Sequence, residues 1–152
     1  MTLNTEEFLQ QTTDQTLDEF LEPCPAGEYV AIAGRPSIAS FVYKKGEHTG
    51  ETGYRMVIRW EIQDDEVKRQ LDRDTVSVSQ SILLDLTPDG QGLDMGKGKN
   101  VSLGQLRGAL GQNKPGETWN PGMIEGQPAK LKIKAGVYND RVTAEVDAVT
   151  AA

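Results

Sequence analysis

The chain has 152 residues, a length typical of one domain that encloses its own hydrophobic core. Its single cysteine excludes an internal disulfide, and one cysteine with one histidine supplies too few ligands for a His/Cys zinc site. The net charge of −7 argues at first against a nucleic-acid partner, because polyanion binding depends on Lys and Arg.

The negative charge is concentrated near the N-terminus. Residues 1–24 contain no Lys or Arg, whereas residues 25–152 carry all 16 basic and 17 of the 23 acidic residues, a net charge of −1. We therefore expect an acidic arm at 1–24 and a folded domain at 25–150. The arm is expected to cover a basic groove of the domain, to recruit partners, or to pack along the domain as a cap. Its acids are Glu6, Glu7, Asp14, Asp18, Glu19 and Glu22.

Membrane and export signals are not evident in the sequence. No apolar run approaches the roughly 18 residues that a membrane span requires. Glu6 and Glu7 stand where a signal peptide would carry a basic patch and an apolar stretch. We expect a cytoplasmic protein without a membrane partner, which a lone cysteine also fits.

The arm has apolar residues at loosely helical spacing. Asn4 or Thr5 can cap a helix there, and acidic residues in the first turn suit the helix dipole. A polar run at 10–13 interrupts the apolar stripe, so we predict two short helical pieces. Pro23 and Pro25 then end the arm.

From residue 28 the apolar period changes to two, which indicates half-buried strands. A second segment continues the first strand after a kink at 34–36, where Pro36 implies a bulge or an edge. A helical period follows at 102–111, with Ser102 as cap and Gly111 as the end. A charged connector at 64–74 is expected to form one helical turn. The predicted strands are 28–34 with 37–43, then 54–62, 75–86, 129–137 and 141–149, the last two joined by a turn at 138–140.

This pattern predicts an all-β domain with one helix, in the order β-β-β-α-β-β behind a partly helical arm. Five antiparallel strands in that order are typical of an OB-like barrel, a fold that binds oligonucleotides and oligosaccharides. Other small β barrels remain open as alternatives.

Catalytic patterns are incomplete. The segment 96–100 resembles half of a P-loop, but it has neither the upstream glycine nor the Ser or Thr that must follow the lysine. A catalytic triad would have to use His48, which lies in a Gly-rich loop. No carboxylate pair is bracketed by apolar residues that would raise a pKa. We expect no enzymatic activity, no cofactor and no metal.

Basic and aromatic side chains accumulate on the predicted outer surface and in the loops. Arg55 and Arg59 point outward from the strand 54–62, beside small hydroxyl residues of the next strand. Charge can hold phosphates while aromatic faces stack bases, which is how single strands are bound with little sequence preference. The candidate nucleic-acid-binding residues are Arg35, Tyr43, Lys44, Lys45, Arg55, Arg59, Lys97, Lys99, Lys130, Lys132, Lys134, Tyr138 and Arg141.

Each of these residues also has a plainer interpretation. Outward Lys and Arg occur on any soluble sheet, and the lysines at 130, 132 and 134 can serve solubility alone. Tyr54 and Trp60 lie on the inner register and are expected in the core, as is Phe41.

Short motifs add a family resemblance. The chain resembles the small single-stranded DNA-binding proteins of tailed bacteriophages over residues 23–149. The resemblance implies an OB fold, sequence-tolerant binding of single strands, and a role in DNA replication or recombination inside a bacterial host cell. It rests on Pro25-Ala26-Gly27-Glu28-Tyr29, Trp60-Glu61-Ile62, the Gly-Lys-Asn and Leu-rich segment 98–111, and Ile124-Glu125-Gly126.

The chain departs from that family at its C-terminus. Many members end in an acidic tail that recruits partners, whereas residues 148–152 contain no acid. The expected partner is single-stranded DNA, with RNA, a second copy of the chain, and replication or recombination proteins as further candidates. The alternative is a structural or interaction module, such as a virion or assembly protein, that does not bind nucleic acid.

Overall fold

The computed structural model describes residues 2–152 and consists mainly of one six-stranded antiparallel sheet, which confirms the mostly β class. Its helices are few and short: α1 (Thr5–Leu9), α2 (Asp65–Gln70), α3 (Val101–Ala109) and a 3-10 turn (Pro121–Ile124). Its strands are β1 (Gly27–Ala33), β2 (Ser37–Val42), β3 (Thr52–Ile62), β4 (Ser77–Leu84), β5 (Pro128–Tyr138) and β6 (Arg141–Ala151).

The first two strands run along the same partner, β3, with a one-residue shift between them. Ala33 lies opposite Trp60, whereas Ser37 lies opposite Val57. Residues 34–36 therefore face only residues 58–59 of β3, which is a β-bulge. The predicted kink after the first strand is confirmed, and it accounts for six strands where five were expected.

The sheet order is β2-β3-β1-β5-β6, and β4 pairs with the other side of β3. The edge strands β4 and β6 approach each other, and α3 contacts both. In the described part of the chain, however, no hydrogen-bonded ladder joins β4 to β6. The sheet is therefore open along this seam and is not a closed barrel.

The core lies on the inner face of the sheet. Met56, Ile58 and Trp60 are completely or almost completely buried, as their alternating spacing predicts. The indole Nε1 of Trp60 donates a hydrogen bond of 2.9 Å to Gln80 Oε1, so its polar atom is satisfied inside. Tyr54 was expected in the core but is 37% exposed. An open cavity of about 470 Å³ lies over its end of the inner face.

The helix α3 begins at Val101 and follows Asn100, so the prediction of Ser102 as its cap is wrong. Asn100 has φ 53 and makes no capping hydrogen bond. Its side chain bonds instead to Asp85 and Asp94. Gly111, with φ +70, ends the helix as predicted.

The arm is mostly irregular. Asn4 Oδ1 caps α1 by accepting a hydrogen bond from the Glu7 amide, as predicted. The second predicted helical piece is wrong, because residues 10–26 contain no helix. A helix of a few residues is not stable without packing, and residues 2–22 are all exposed. The chain first becomes buried at Cys24, which joins the core.

Two other connections match their predictions. Asn139 and Asp140 both have positive φ, 50 and 61, and join β5 to β6 by a two-residue turn of the type that suits twisted strands. Asp64 caps α2 inside the predicted charged connector. Among residues 2–152, no helix combines the length and apolar character needed to cross a membrane.

Candidate functional site

The outward side of β2, β3 and β4 carries two arginines among small residues. We call this surface the arginine face. Arg55 lies opposite Ala39 and Leu83, and Arg59 lies opposite Ser79. Ala39 and Ser79 have short side chains, which leave the guanidinium groups room to meet a ligand. The arginine face comprises Ser37, Ala39, Phe41, Arg55, Val57, Arg59, Ser79, Ser81 and Leu83.

Neither Arg55 nor Arg59 forms an ion pair with another residue of the described range 2–152. The guanidinium carbon of Arg55 lies 4.3 Å from the centroid of the Phe41 ring, a cation–π contact. Arg59 Nε donates a hydrogen bond of 2.9 Å to Ser77 Oγ. Glu61 continues the same outward register beyond Arg59. The face thus presents two charges that no carboxylate neutralises.

Aromatic rings stand at one end of the arginine face. Phe41 and Tyr43 contact each other edge to face with centroids 4.9 Å apart, and Tyr43 lies 5.7 Å from the His48 ring. Both rings pack over Gly53, which lies opposite Phe41. A β-carbon at residue 53 would lie 2.5 Å from Phe41 Cζ and 2.7 Å from Tyr43 Cε2, so only glycine fits there without a shift of the rings. Phe41 is therefore half-buried on the outer face, and the expectation that it belongs to the core is wrong.

The loop after β2 brings further candidates to this end. Lys44 and Lys45 are exposed in it, directly after Tyr43. Lys99 lines a cleft of about 470 Å³ together with Tyr43 and His48. Lys97 is exposed in the same Gly-rich segment as Lys99 but does not line that cleft. The structure therefore brings Tyr43, His48 and Lys99 together at the aromatic end of the arginine face, and places Lys44 and Lys45 in the adjoining loop.

A groove of about 850 Å³ follows the open seam between β4 and β6. We call it the seam groove. Arg59 lines it from the arginine face, and Arg141 lines it from the start of β6. Tyr138 lies opposite Arg141 in the hairpin and is 65% exposed. The seam groove thus connects the arginine face with the β5–β6 turn.

The lysines of β5 are arranged differently. Lys130 pairs with Glu28 at 3.2 Å, and Lys132 and Lys134 pair with Asp147 at 3.7 and 3.5 Å. A bulge in the pairing of β5 with β6 leaves Asp147 without a partner residue opposite it. Within residues 2–152, β5 pairs with β1 and β6 only, so the structure does not place these lysines beside Arg55 and Arg59.

Arg35 is exposed in the bulge between β1 and β2. The neighbouring Gly34 amide donates a hydrogen bond of 2.8 Å to the Arg59 carbonyl, which joins the bulge to the backbone under the arginine face.

Three residues of the site are not evident from the sequence. By sequence, Gly53 belongs to a Gly-rich loop, Arg73 to the charged connector and Phe20 to the apolar stripe of the arm. In the structure, Gly53 lies under the aromatic rings, and Arg73 and Phe20 line the seam groove.

Cys24 lines the inner end of the seam groove, and burial raises the pKa of its thiol. The thiol is therefore protonated at neutral pH and is a weak nucleophile. Within the range 2–152, the His, Cys, Asp and Glu side chains do not form a group of three or more that could hold a metal ion.

The geometry combines guanidinium groups without an ion-pair partner in residues 2–152, half-buried rings and a groove along one surface. No protein-family model matches the chain, and no curated protein matches its sequence. The function is therefore inferred from the chemistry of the site itself.

Proposed function

We propose that the chain is a sequence-tolerant single-stranded DNA-binding protein that acts in replication or recombination and carries out no catalytic step. The observation that carries the proposal is the stack of Arg55 on Phe41 beside an unpaired Arg59. Guanidinium groups neutralise phosphates, and each base stacked on a ring contributes about 1–3 kcal/mol whatever its identity.

The strand connectivity supports an OB-type barrel as the finer description of the fold. The bulged first strand pairs with β3 on one side and with β5 on the other, and α3 lies between β4 and β5 in the chain. Ligands of OB folds lie on the second and third strands and on the loops after the first and fourth. In this chain those elements are β3, β4, the loop 43–51 and the turn 139–140, which carry the arginine face and its surroundings.

The same surface favours single strands over duplex DNA. Phe41 and Tyr43 can stack only on bases whose faces are free, and a duplex hides those faces. Outside the arm the net charge is −1, so binding depends on the local placement of the arginines and not on the overall charge.

A protein-interaction module is the second candidate, and the arm favours it. Leu9, Leu17 and Leu21 are 76, 90 and 78% exposed, which is unusual for apolar side chains. On that alternative the arm binds another protein and the arginine face has no nucleic-acid ligand.

Fluorescence anisotropy with labelled oligo-dT and a duplex of equal length separates the two candidates. We expect oligo-dT to bind more tightly, with an affinity that falls as salt rises. Two arginines on phosphates, Arg55 and Arg59, predict a slope of log K against log salt of about −1.4, since each single-strand contact contributes about −0.7. Equal binding of both ligands, or none at about 50 mM salt, would contradict the proposal. Oligo-U in the same assay measures the preference for DNA over RNA.

A further inference from the structure

Part of the arm forms one side of the seam groove. The guanidinium carbon of Arg141 lies 3.9 Å from the centroid of the Phe20 ring. Arg73 Nη2 donates a hydrogen bond of 2.5 Å to the Glu22 carbonyl. Residues 20–24 line the groove, and Cys24, only 5% exposed, anchors the end of this segment in the core.

We propose that the seam groove is an additional base-and-phosphate subsite, and that Phe20 occupies the position of a base in the free protein. The inference rests on the proposed function. A ring stacked on a guanidinium plane is the arrangement that a nucleobase also adopts on arginine. Arg59, Arg73 and Arg141 all line the groove, so a strand that leaves the arginine face at Arg59 enters a second set of cations.

The acids of the groove are divided between the arm and the domain. Glu22 and Asp74 both line it. Both stay near the groove when Phe20 is displaced, because the Glu22 carbonyl is bonded to Arg73, Glu22 lies two residues before the buried Cys24, and Asp74 belongs to the domain. Displacement therefore frees the face of the Arg141 guanidinium for a base, and the three arginines of the groove outnumber its two acids.

Phe20 is placed so that a ligand can displace it. Its side chain is 58% exposed, and the segment before it contains neither helix nor strand. While the Phe20 ring is stacked on Arg141 it covers that guanidinium, so the measured dissociation constant rises by the inverse of the fraction of molecules in which Arg141 is free. The arm thus competes with the ligand and reduces the affinity of the whole surface.

Phe20→Ala in the full chain tests the competition by oligo-dT anisotropy. Loss of an exposed cation–π contact predicts binding that is about two- to fivefold tighter. Leu17→Ala is the matched control, because Leu17 is a 90% exposed apolar residue of the same arm. It should leave the affinity unchanged, and Phe20→Tyr, which keeps the ring, should resemble the unmodified chain. Unchanged or weaker binding in Phe20→Ala would overturn the inference.

The Arg141 Nε–Hε NMR resonance separates failure of this inference from failure of the proposed function. The Phe20 ring current shifts this resonance in the free protein, and the shift should be absent in Phe20→Ala. Saturating oligo-dT should remove it from the unmodified chain. If oligo-dT binds and the shift persists, the inference is wrong and the function stands. If oligo-dT binds neither protein, both fail.

Discussion

Asp85 and Asn100 exchange three hydrogen bonds across the Gly-rich segment that joins β4 to α3. The Asp85 amide donates to Asn100 Oδ1 at 2.8 Å, the Asn100 amide donates to Asp85 Oδ2 at 2.9 Å, and Asn100 Nδ2 donates to the Asp85 carbonyl at 2.8 Å. Asn100 has left-handed backbone angles, which asparagine tolerates better than most residues. The asparagine of the Gly-Lys-Asn motif therefore holds the Gly-rich segment against Asp85. These hydrogen bonds also fix the position of the adjacent Lys99.

Replacing Asn100 should destabilise the fold. Asn100→Ala removes the side-chain bonds and leaves alanine, which tolerates left-handed backbone angles less well than asparagine, at φ 53, so we expect a loss of about 2–4 kcal/mol. Asn100→Gly loses the same bonds without the backbone cost and should be about 1 kcal/mol more stable than Asn100→Ala. Urea denaturation measures both, with Lys97→Ala as an exposed neighbour that should change nothing. Equal stability of all three variants would show that the loop does not depend on this pair.

The affinity for oligo-dT should depend on where the positive charges lie on the domain and not on how many there are. Arg55→Gln with Arg59→Gln should weaken oligo-dT binding and make the salt slope shallower by about 1.4. Lys130→Gln with Lys132→Gln removes the same number of charges from residues that are already ion-paired, and should leave the affinity nearly unchanged. Both double variants should unfold within about 1 kcal/mol of the unmodified chain, because exposed side chains contribute little. Equal weakening by the two pairs would indicate general electrostatic attraction.

Gly53 should be needed for the aromatic end of the arginine face. Gly53→Ala places a methyl group against the Phe41 and Tyr43 rings and should cost about 1–3 kcal/mol of stability. Displacement of Phe41 from Arg55 should also weaken oligo-dT binding about fivefold. Gly92→Ala is the control, because no atom lies within 4 Å of its added carbon. If Gly53→Ala binds oligo-dT with full affinity, Phe41 is not part of the binding surface.

Stability should decrease at alkaline pH through two neighbouring groups. Burial raises the pKa of the Cys24 thiol above its ordinary value of 9.0, and burial followed by the nearby thiol raises the pKa of Tyr29 above 10.0. Both groups deprotonate more readily in the unfolded chain than in the folded chain. Their contribution to the free energy of unfolding is therefore complete below pH 9 and is lost as the pH rises through the folded pKa values. Urea midpoints between pH 7 and 11 should fall less steeply for Cys24→Ala than for the unmodified chain. Parallel pH profiles would contradict this role of Cys24.

Much of the local structure follows from the sequence. The period of two in residues 54–62 and 129–134 places Trp60 and Leu131 inside and Arg59 and Lys132 outside, as the structure has them. The bulge before Ser37 and the two-residue turn after Tyr138 are equally local. These features depend on backbone angles and on contacts between residues close in the chain, so a single sequence is enough to predict them.

The composition of the candidate site was decided by tertiary structure. The sequence treats Lys132 and Arg59 alike, but the fold places Asp147 beside the lysine and a hydroxyl beside the arginine. Phe20 meets Arg141 only because the arm crosses the seam between β4 and β6. Strand neighbours and the course of the arm are set by packing summed over the whole domain. Packing of the whole domain has no signature in the local sequence pattern. The charges that remain unpaired can therefore be identified only in the folded chain.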